Sequence, residues 1–431
     1  MASSVITSAA PHKHALIRHP QGRWTVDAVK QVSYEVLVRD NLLDPSDSFL
    51  ADTLRRCVAR TGTEAKAGTG NETGAGVAGA SSDRRLLVVD STVDKLYGSA
   101  IAGYFATHGF ETHTLVLDAH EQVKDWESVD AVLAAMDEFG VDRRREPVIA
   151  IGGGVLCDIV GFAASVYRRG TPYIRIPTTL VGLVDAGVGV KTGVNHRSGK
   201  NRIGTYAQPL LSLLDTRFLT TLPERHLSNG LAEILKVALV KSESLFTTLE
   251  RAGRCGIRDL FDDAFHADMA EYITHESIHL MLEELQPNLW EAVLERCVDY
   301  GHTFSPTVEM HSVAELLHGE AVAVDMALTT AISLGRGLMT ETEAERVLAA
   351  MRGLGLNPWN DALADTDLLV RALEDTVRHR DGQQRLPLTR GIGDHVFVND
   401  VTAEEIVAAV RYLAAHADAD VATAPLEAAA A

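Results

Sequence analysis

The sequence predicts an α/β domain with a parallel sheet, followed by a mostly helical domain. Between residues 85 and 177, short apolar strands alternate with helical segments, which is the pattern of strand–helix–strand crossovers. After about residue 222, long helical patterns replace the strands, and glycine and β-branched runs become sparse. The length of 431 residues exceeds that of one ordinary domain, so two hydrophobic cores are expected.

The elements follow in chain order. Residues 1–20 show no periodicity and are predicted to be a flexible tail, whereas 24–38 alternates in patches. The segment 61–83, rich in Gly, Ala, Ser and Thr, is predicted to be a flexible insertion. Strands are predicted at 85–90, 111–118, 147–154 and 173–177, with helices at 94–108, 126–139 and 156–168. Further helices are predicted at 229–250, 264–285, 288–301, 318–337, 341–353, 366–378 and 402–416. The domains therefore comprise residues 21–222 and 223–431.

Composition excludes several classes of protein. The formal charge of −19 argues against binding to nucleic acid or to an anionic membrane surface. No run approaches the ~20 apolar residues that a membrane span needs, and the N-terminus lacks the apolar core of a secretory signal. The four cysteines form no CxxC pair, so neither a disulfide framework nor a thiolate zinc site is indicated. A cytoplasmic location is expected.

Three glycines, Gly152 to Gly154, separate an apolar strand from a helix. Glycines there let backbone N–H groups approach a phosphate, and a helix N-terminus favours negative charge. A tight turn without a ligand is an equal alternative, since the fingerprint GxGxxG is absent. Upstream, Asp90 ends a strand, where a carboxylate can accept a ribose hydroxyl or simply be exposed.

The segment 177–195 combines two threonines, Asp185, Lys191 and several glycines, and Gly199-Lys200-Asn201 follows it. It is too rich in glycine for a stable helix and too polar for a core strand. A loop that lines a ligand site explains this mixture, because Lys191 offers a point charge to a phosphate. A plain solvated loop is the alternative.

Glu233, His302 and His318 lie in or beside helical stretches whose apolar residues should face the core. One carboxylate and two imidazoles with open positions form a sensible catalytic zinc set. Their spacing does not establish such a site, and each histidine alone could be an ordinary core or surface residue. Lys236 lies one helical turn after Glu233, so both share a helix face, where a surface ion pair is the alternative.

Taken together, the motifs resemble the sugar phosphate cyclases of the dehydroquinate synthase-like superfamily. The matching segments are GGGVLCD (152–158), YRRG (167–170), PTTLVGLVDAGVGVKTGVN (177–195), GKNRIG (199–204), FLTTLPERHLSNGLAEILK (218–236), YGHTFSP (300–306) and LHGEAVAVDMAL (317–328). This resemblance covers about residues 85–395. It implies an NAD-binding α/β domain, a helical metal- and substrate-binding domain, an active site in the cleft between them, and a homodimer.

The resemblance also assigns residues to roles. The implied zinc ligands are Glu233, His302 and His318, with Co²⁺ as an alternative ion. The implied NAD contacts are Asp90, Glu121, Lys124, Gly153, Gly154, Asp158, Thr178, Thr179, Lys200 and Thr221. The implied substrate contacts are Asp185, Lys191, Asn201 and Lys236, and Arg169 matches an arginine that reaches the phosphate of the neighbouring subunit's substrate. Asp299 and one of His379 or Arg380 are expected to contact the sugar or its phosphate.

Several positions depart from dehydroquinate synthase. Asp299 and Pro306 replace an asparagine and a second histidine of that enzyme, and Glu295 stands where an arginine helps to hold the substrate carboxylate. An acid there would repel a carboxylate, although a register shift of one residue would put Arg296 in its place. These changes, with the DAGVGVK and HRDGQQRLPL patterns, favour the branch that cyclises sedoheptulose 7-phosphate in aminocyclitol biosynthesis.

The implied reaction oxidises C5 transiently with NAD, eliminates phosphate, returns the hydride and closes the ring by an aldol step. Its expected product is 2-epi-5-epi-valiolone. The alternatives are sibling cyclases that make 2-epi-valiolone, desmethyl-4-deoxygadusol or 3-dehydroquinate. A metal- and NAD-dependent polyol dehydrogenase is a further alternative, although an uncharged polyol would not use Lys191, Lys200 and Arg169 as phosphate contacts. A catalytically silent binding protein is the last alternative, and three retained metal ligands argue against it.

Overall fold

The computed structural model describes residues 15–19, 23–28, 30–67, 82–197, 199–312 and 316–423. Two compact units are present, residues 1–34 and 35–431. The first contains an antiparallel hairpin of β1 (Ala15–His19) and β2 (Arg23–Asp27). Strand β1 thus lies inside the tail predicted for residues 1–20, whose residues 1–14 and 20 are outside the described part of the chain.

The predicted insertion at 61–83 is described only at its two ends. Residues 61–67 continue helix α1 (Phe49–Ala67), which is a correction to the prediction that these residues are part of a flexible segment. Residues 68–81 lie outside the described part of the chain. Because the second unit runs from residue 35 to residue 431, the predicted domain boundary at residue 222 remains a prediction.

A six-stranded parallel sheet organises the first half of the second unit, with strand order β3-β10-β7-β6-β4-β5. Its strands are β3 (Glu35–Val38), β4 (Arg84–Asp90), β5 (Glu111–Leu117), β6 (Val148–Gly152), β7 (Tyr173–Pro177) and β10 (Leu211–Leu214). Strands β8 (Lys191–His196) and β9 (Gly199–Tyr206) form a separate antiparallel hairpin. The predicted parallel α/β architecture is confirmed.

Successive side chains 86–89 of β4 are all buried but enter two different cores, which shows that the sheet is covered on both faces. Leu87 and Val89 pack into one core together with α1 and α2 (Ser91–Thr107). Leu86 and Val88 pack into the opposite core with α3 (Trp126–Phe139) and α4 (Gly154–Val166). Since successive side chains of a strand point to opposite faces, a continuous apolar strand requires two covering layers.

The strand order reverses direction between β4 and β6. Strand β5 follows β4 on one side of the sheet, and the chain then crosses β4 to form β6 on its other side. In open parallel sheets, ligands bind beyond the carboxyl ends of the strands at such a switch point. Here Asp90 ends β4 and Gly152 ends β6, so the three glycines 152–154 lie at this edge of the sheet.

The second half is mostly helical, as predicted. Its helices are α5 (Glu224–Lys241), α6 (Glu243–Ala252), α7 (Ile257–Asp262), α8 (Ala267–Leu285), α9 (Ser305–His311), α10 (His318–Gly335), α11 (Glu341–Gly353), α12 (Thr366–His379) and α13 (Ala403–Thr423). A hairpin of β11 (Leu386–Thr389) and β12 (His395–Val398) is inserted before α13. Helices α5 and α10 are buried on nearly all sides within one continuous core. Among the described helices, none is long and apolar enough to cross a bilayer.

Three local predictions are wrong. The helix predicted at 229–250 is interrupted at Ser242, whose hydroxyl caps α6 by accepting from the N–H of Leu245. The helix predicted at 288–301 is replaced by two short 3₁₀ turns and a connection in which Glu291 has a left-handed φ of 53°. The segment 177–195, predicted to be a loop too rich in glycine for a helix, contains a π-helical turn at Gly182–Ala186 and enters strand β8 at Lys191. A Cβ on Gly193 would lie 2.7 Å from the carbonyl oxygen of Ile203, so this glycine permits close strand pairing.

Candidate active site

A cavity of about 590 Å³ brings residues of the sheet and of the helical part together. This volume suits a ligand of cofactor or metabolite size. Fourteen of the predicted site residues line it: Glu121, Lys124, Gly153, Gly154, Asp158, Thr179, Asp185, Lys191, Lys200, Asn201, Lys236, Asp299, His302 and His318. Several cations therefore converge locally in a protein whose net charge is strongly negative.

Glu233, His302 and His318 form one cluster, in which one ligand atom from each residue lies within 4.8 Å of the others. Glu233 is a buried residue of α5, His302 follows a 3₁₀ turn, and His318 is the first residue of α10. The Nε2 atoms of His302 and His318 lie 3.9 and 3.2 Å from Oε1 of Glu233. Residues up to 85 positions apart in sequence thus share one small volume.

Hydrogen bonds orient both imidazoles toward Glu233. Nδ1 of His302 lies 3.1 Å from the carbonyl oxygen of Tyr300, and Nδ1 of His318 lies 2.9 Å from Oε2 of Glu309. Each acceptor favours the proton on Nδ1, which leaves the Nε2 lone pair free to bind a metal. The turn that carries His302 is itself held by Asp325, which accepts from the backbone N–H of Ser305 at 2.8 Å.

This cluster fits a divalent metal ion. Both carboxylate oxygens of Glu233 are buried: Oε2 faces the ammonium of Lys236, whereas Oε1 faces the two histidines and accepts no well-directed hydrogen bond from the described residues, so a metal ion would satisfy it. Burial alone would raise the pKa of Glu233, but Lys236 and the two histidines hold it well below its usual value. One carboxylate and two imidazoles are a donor set suited to zinc, and open positions would remain for substrate.

The two histidines differ in proton affinity. Burial and the nearby Lys236 lower the pKa of His302 to about 3, so its imidazole is neutral. Burial and Lys200 would also lower the pKa of His318, but Glu309 and Glu233 outweigh them and raise it to about 9. Binding of a cation at Nε2 of His318 would therefore displace a proton, which is the usual linkage between metal binding and pH.

Gly319 explains how α10 can approach α5 closely enough to complete the cluster. A Cβ at this position would lie 2.0 Å from the backbone carbonyl oxygen of Asn229 on α5. The amide of Gly319 also donates to Oδ1 of Asn229 at 2.5 Å. Only glycine therefore permits this contact between the two helices, which places His318 beside Glu233.

We expect Gly319→Ala to weaken metal binding and activity at least ~10-fold, because overpacking against backbone costs ~1–3 kcal/mol and shifts His318. Zinc affinity measured by chelator competition checks this result. Gly335→Ala is the matched control, since it lies in the same helix and a Cβ there would meet nothing within 4 Å. Equal affinities for the two variants would contradict this account of Gly319.

Lys236 connects the cluster to Asp185. Its Nζ lies 2.5 Å from Oε2 of Glu233, and the lysine is almost completely buried. Burial would lower the pKa of Lys236, but Glu233 and Asp185 raise it, so the ammonium stays charged. Burial, aided by Glu233, raises the pKa of Asp185 despite Lys236. A charged donor beside a carboxyl with raised pKa is an arrangement suited to proton transfer.

A second network lies near the carboxyl ends of the sheet strands. The buried ammonium of Lys124 lies 2.6 Å from Oδ2 of Asp158 and 2.7 Å from Oδ1 of Asn201. Gly153 and Gly154 begin helix α4 without a side-chain cap, so its first N–H groups face the cavity. Uncapped helix amides near the ammonium of Lys124 suit a dinucleotide phosphate.

Three predicted nucleotide contacts do not line the cavity. Oδ1 of Asp90 caps α2 by accepting from the N–H of Thr92 at 2.9 Å. Thr178 is buried and its N–H donates to the carbonyl oxygen of Gly152. The hydroxyl of Thr221 pairs with a tyrosine hydroxyl. Their cofactor roles remain predictions.

Three predicted substrate residues also lie outside the cavity lining. Arg169 is exposed, with a left-handed φ of 65°. Arg380 stands behind Asp299, donating to its Oδ2 at 3.0 Å. His379 is the last residue of α12, and its side chain is outside the described part of the structure. Burial would raise the pKa of Asp299, but Arg296 and Arg380 lower it.

Sequence reasoning missed Glu291 and Glu309 and named Arg296 only as the alternative to Glu295 in a shifted register; all three line the cavity. Oε1 of Glu291 lies 2.5 Å from Nζ of Lys191, and the guanidinium of Arg296 contacts both Glu291 and Asp299. Glu295 does not take the place of the arginine that holds a substrate carboxylate, as the sequence suggested, because Glu295 is exposed and pairs with Arg385 at 3.4 Å. Arg296 lines the cavity instead, and its guanidinium already forms ion pairs with two carboxylates.

The chain matches known proteins over most of its length. The 3-dehydroquinate synthase N-terminal and C-terminal family models match residues 114–229 and 230–377. A 2-epi-5-epi-valiolone synthase of Streptomyces albus is 54% identical over 394 residues, covering 91% of this chain and 90% of the relative. A 2-epi-5-epi-valiolone synthase of an Actinoplanes species is 53% identical, covering 90% and 92%.

A solved structure is similar in fold as well as in sequence. It is the 2-epi-5-epi-valiolone synthase of Streptomyces hygroscopicus subsp. jinggangensis with NAD⁺ and Zn²⁺ bound, and it is 52% identical to this chain. The alignment covers 91% of this chain and 100% of the other, with a TM-score of 0.82. This chain belongs to the dehydroquinate synthase-like superfamily of sugar phosphate cyclases, in which it resembles the 2-epi-5-epi-valiolone synthases.

Proposed function

We propose that this chain is an NAD- and zinc-dependent cyclase that converts sedoheptulose 7-phosphate to 2-epi-5-epi-valiolone and phosphate. One observation carries this proposal: the two histidines of the Glu233–His302–His318 cluster line the same cavity as the cations Lys191 and Lys200. Sequence identities of 54% and 53% to two 2-epi-5-epi-valiolone synthases support this branch of the superfamily. The reaction makes the enzyme a carbon–oxygen lyase that acts on phosphates.

When bound, NAD⁺ would supply a hydride acceptor and zinc a Lewis acid beside the reacting carbon. Glu233, His302 and His318 would hold the ion, and Lys124 with Asp158 would orient the nucleotide. Among the residues lining the same cavity, Lys191 and Asn201 would bind the substrate phosphate. Because Lys191 is paired with Glu291, the phosphate would have to displace that carboxylate.

Lys236 and Asp185 would orient substrate hydroxyls and move protons between them. The two groups interact electrostatically, since Lys236 lowers the pKa of Asp185 and Asp185 raises the pKa of Lys236. The ion pairs of Arg296 support a substrate without a carboxylate. Its guanidinium already contacts the carboxylates of Glu291 and Asp299. A carboxylated substrate would have to compete with both of these acids.

A direct test compares two substrates. The purified protein is incubated with sedoheptulose 7-phosphate or with the carboxylated substrate of dehydroquinate synthase, each with catalytic NAD⁺ and zinc. We expect phosphate release and an NMR spectrum of a carbocycle only with sedoheptulose 7-phosphate. Activity only on the carboxylated sugar would contradict the branch, and a different stereoisomer would indicate a sibling cyclase.

The proposal includes a homodimer in which Arg169 reaches the neighbouring active site. Arg168 and Arg169 both adopt left-handed φ values, 49° and 65°, and two such residues cost about 1–3 kcal/mol each. Within the described chain, Arg169 is exposed and forms no ion pair. A strained backbone that holds an arginine at the surface is explained most simply if that arginine contacts a second subunit.

We expect Arg169→Ala to lower kcat/KM ~10- to 100-fold, since a charge-assisted phosphate contact is lost. Coexpression with His318→Ala provides the decisive comparison. If Arg169 acts in the partner's site, each mixed dimer regains one intact site of two; since random pairing makes about half of the dimers mixed, the coexpressed sample should restore about a quarter of the wild-type activity. No recovery in the mixed dimers would contradict a shared site.

A cytoplasmic location completes the proposal. None of the four cysteines forms a disulfide in the structure, which is consistent with a reducing compartment. The product is proposed to enter aminocyclitol biosynthesis.

A further inference from the structure

We propose that Glu309 is a positioning residue that controls the tautomer of His318 by separating it from Lys200. This inference rests on the proposed zinc site. Glu309 lies on α9, is 2% exposed, and lies outside the predicted ligand set. Its two oxygens have different partners: Oε2 accepts from Nδ1 of His318 at 2.9 Å, and Oε1 contacts the ammonium of Lys200.

Lys200 is close enough to compete for the same imidazole nitrogen. Its Nζ lies 3.2 Å from Nδ1 of His318. An ammonium has only donors, so a bond between these atoms requires that Nδ1 be an acceptor. The proton of a neutral imidazole would then move to Nε2, the atom that faces Glu233 at 3.2 Å. Such a tautomer presents N–H to the metal position and cannot bind the ion.

Glu309 prevents this outcome by using both of its oxygens. One oxygen fixes the proton on Nδ1 of His318, and the other holds the Lys200 ammonium. A carboxylate behind a ligating histidine also increases the basicity of the imidazole, and its loss typically weakens metal binding ~10- to 100-fold. Because Lys200 belongs to β9, the same carboxylate connects the hairpin of the cavity to the metal cluster.

The test measures zinc affinity by chelator competition and the visible absorption of the Co²⁺-loaded protein. We expect Glu309→Gln to bind zinc ~10- to 100-fold more weakly and to alter the Co²⁺ spectrum. Glu320→Gln is the matched control: Glu320 caps α10 through the N–H of Leu317 and pairs with Arg225, but it does not contact His318. Thermal unfolding of each metal-free variant confirms that it is folded.

The double variant Glu309→Gln/Lys200→Met separates tautomer control from a structural role. If the Lys200 ammonium donates to Nδ1 of His318 once residue 309 is neutral, removing that ammonium should restore part of the zinc affinity lost in Glu309→Gln. If the two substitutions instead act independently on the structure, their losses of zinc affinity should add. Lys200→Met alone should bind zinc within about threefold of wild type, since Glu309 still holds His318. Unchanged affinity in Glu309→Gln, or a double variant no better than it, would overturn the inference. Failure of the wild-type protein to bind zinc would instead overturn the proposed function and this inference with it.

Discussion

Replacing His318 by alanine is expected to abolish turnover while the fold stays intact. The imidazole is one of three side chains whose ligand atoms lie within 4.8 Å of one another, so its loss leaves an incomplete donor set. Since a metal contributes several kcal/mol of transition-state stabilisation, we expect kcat to fall at least ~1,000-fold. Phosphate release and zinc content measured on the same sample check this result.

The fold should survive because the charges around His318 keep other partners. Glu309 retains Lys200, and Glu233 retains Lys236. His311→Ala is the control, since His311 is an exposed histidine at the end of α9. Its turnover and zinc content should equal those of the wild type. A His318→Ala protein that still turns over substrate and holds zinc would show that the metal cluster is wrongly assigned.

Lys236→Met is expected to have the second largest effect. Removal of the buried ammonium leaves the carboxylates of Glu233 and Asp185 without the cation that both depend on. One of them should then take up a proton, because two neighbouring buried carboxylates cannot both remain ionised. We expect kcat to fall ~100- to 10,000-fold, the usual contribution of a positioned proton-transfer group.

Lys241→Met separates this effect from the general loss of a lysine on α5. Lys241 lies on the same helix and pairs with Glu283 at 3.0 Å, a carboxylate that is more than half exposed. Its replacement should change kcat less than about twofold, because surface ion pairs contribute ~0–1 kcal/mol. The pH dependence of kcat should shift in Lys236→Met alone. Comparable losses in both variants would count against a role for Lys236 in proton transfer.

Local periodicity was enough to predict four of the six parallel strands and most helices, whereas the short strands β3 and β10 were not predicted. Strand β4 and helix α10 carry continuous apolar patterns, and the structure places them where those patterns indicate. The prediction of a helix at 288–301 was wrong, because Glu291 adopts a left-handed φ that a right-handed helix cannot contain. The ion pairs that Glu291 forms with Lys191 and Arg296 depend on tertiary contacts, which no local pattern contains.

The candidate site was predicted partly from residues and partly from resemblance. The chemistry of Glu233, His302 and His318 suggested a metal set, but their separation in sequence gave no distance between them. Glu309 was not predicted, because the sequence does not distinguish a buried glutamate from an exposed one. Its role depends on its tertiary contacts with His318 and Lys200. Gly319 similarly acquires its meaning only from the carbonyl oxygen of Asn229.

In the proposed reaction, a metal ion and a recycled nicotinamide act on a sugar phosphate in one cavity. The most direct measurement follows phosphate and NADH together, with sedoheptulose 7-phosphate in large excess over NAD⁺. The account predicts many equivalents of phosphate for each NAD⁺ and no accumulation of NADH. Stoichiometric NADH without phosphate release, as a polyol dehydrogenase would give, would contradict it.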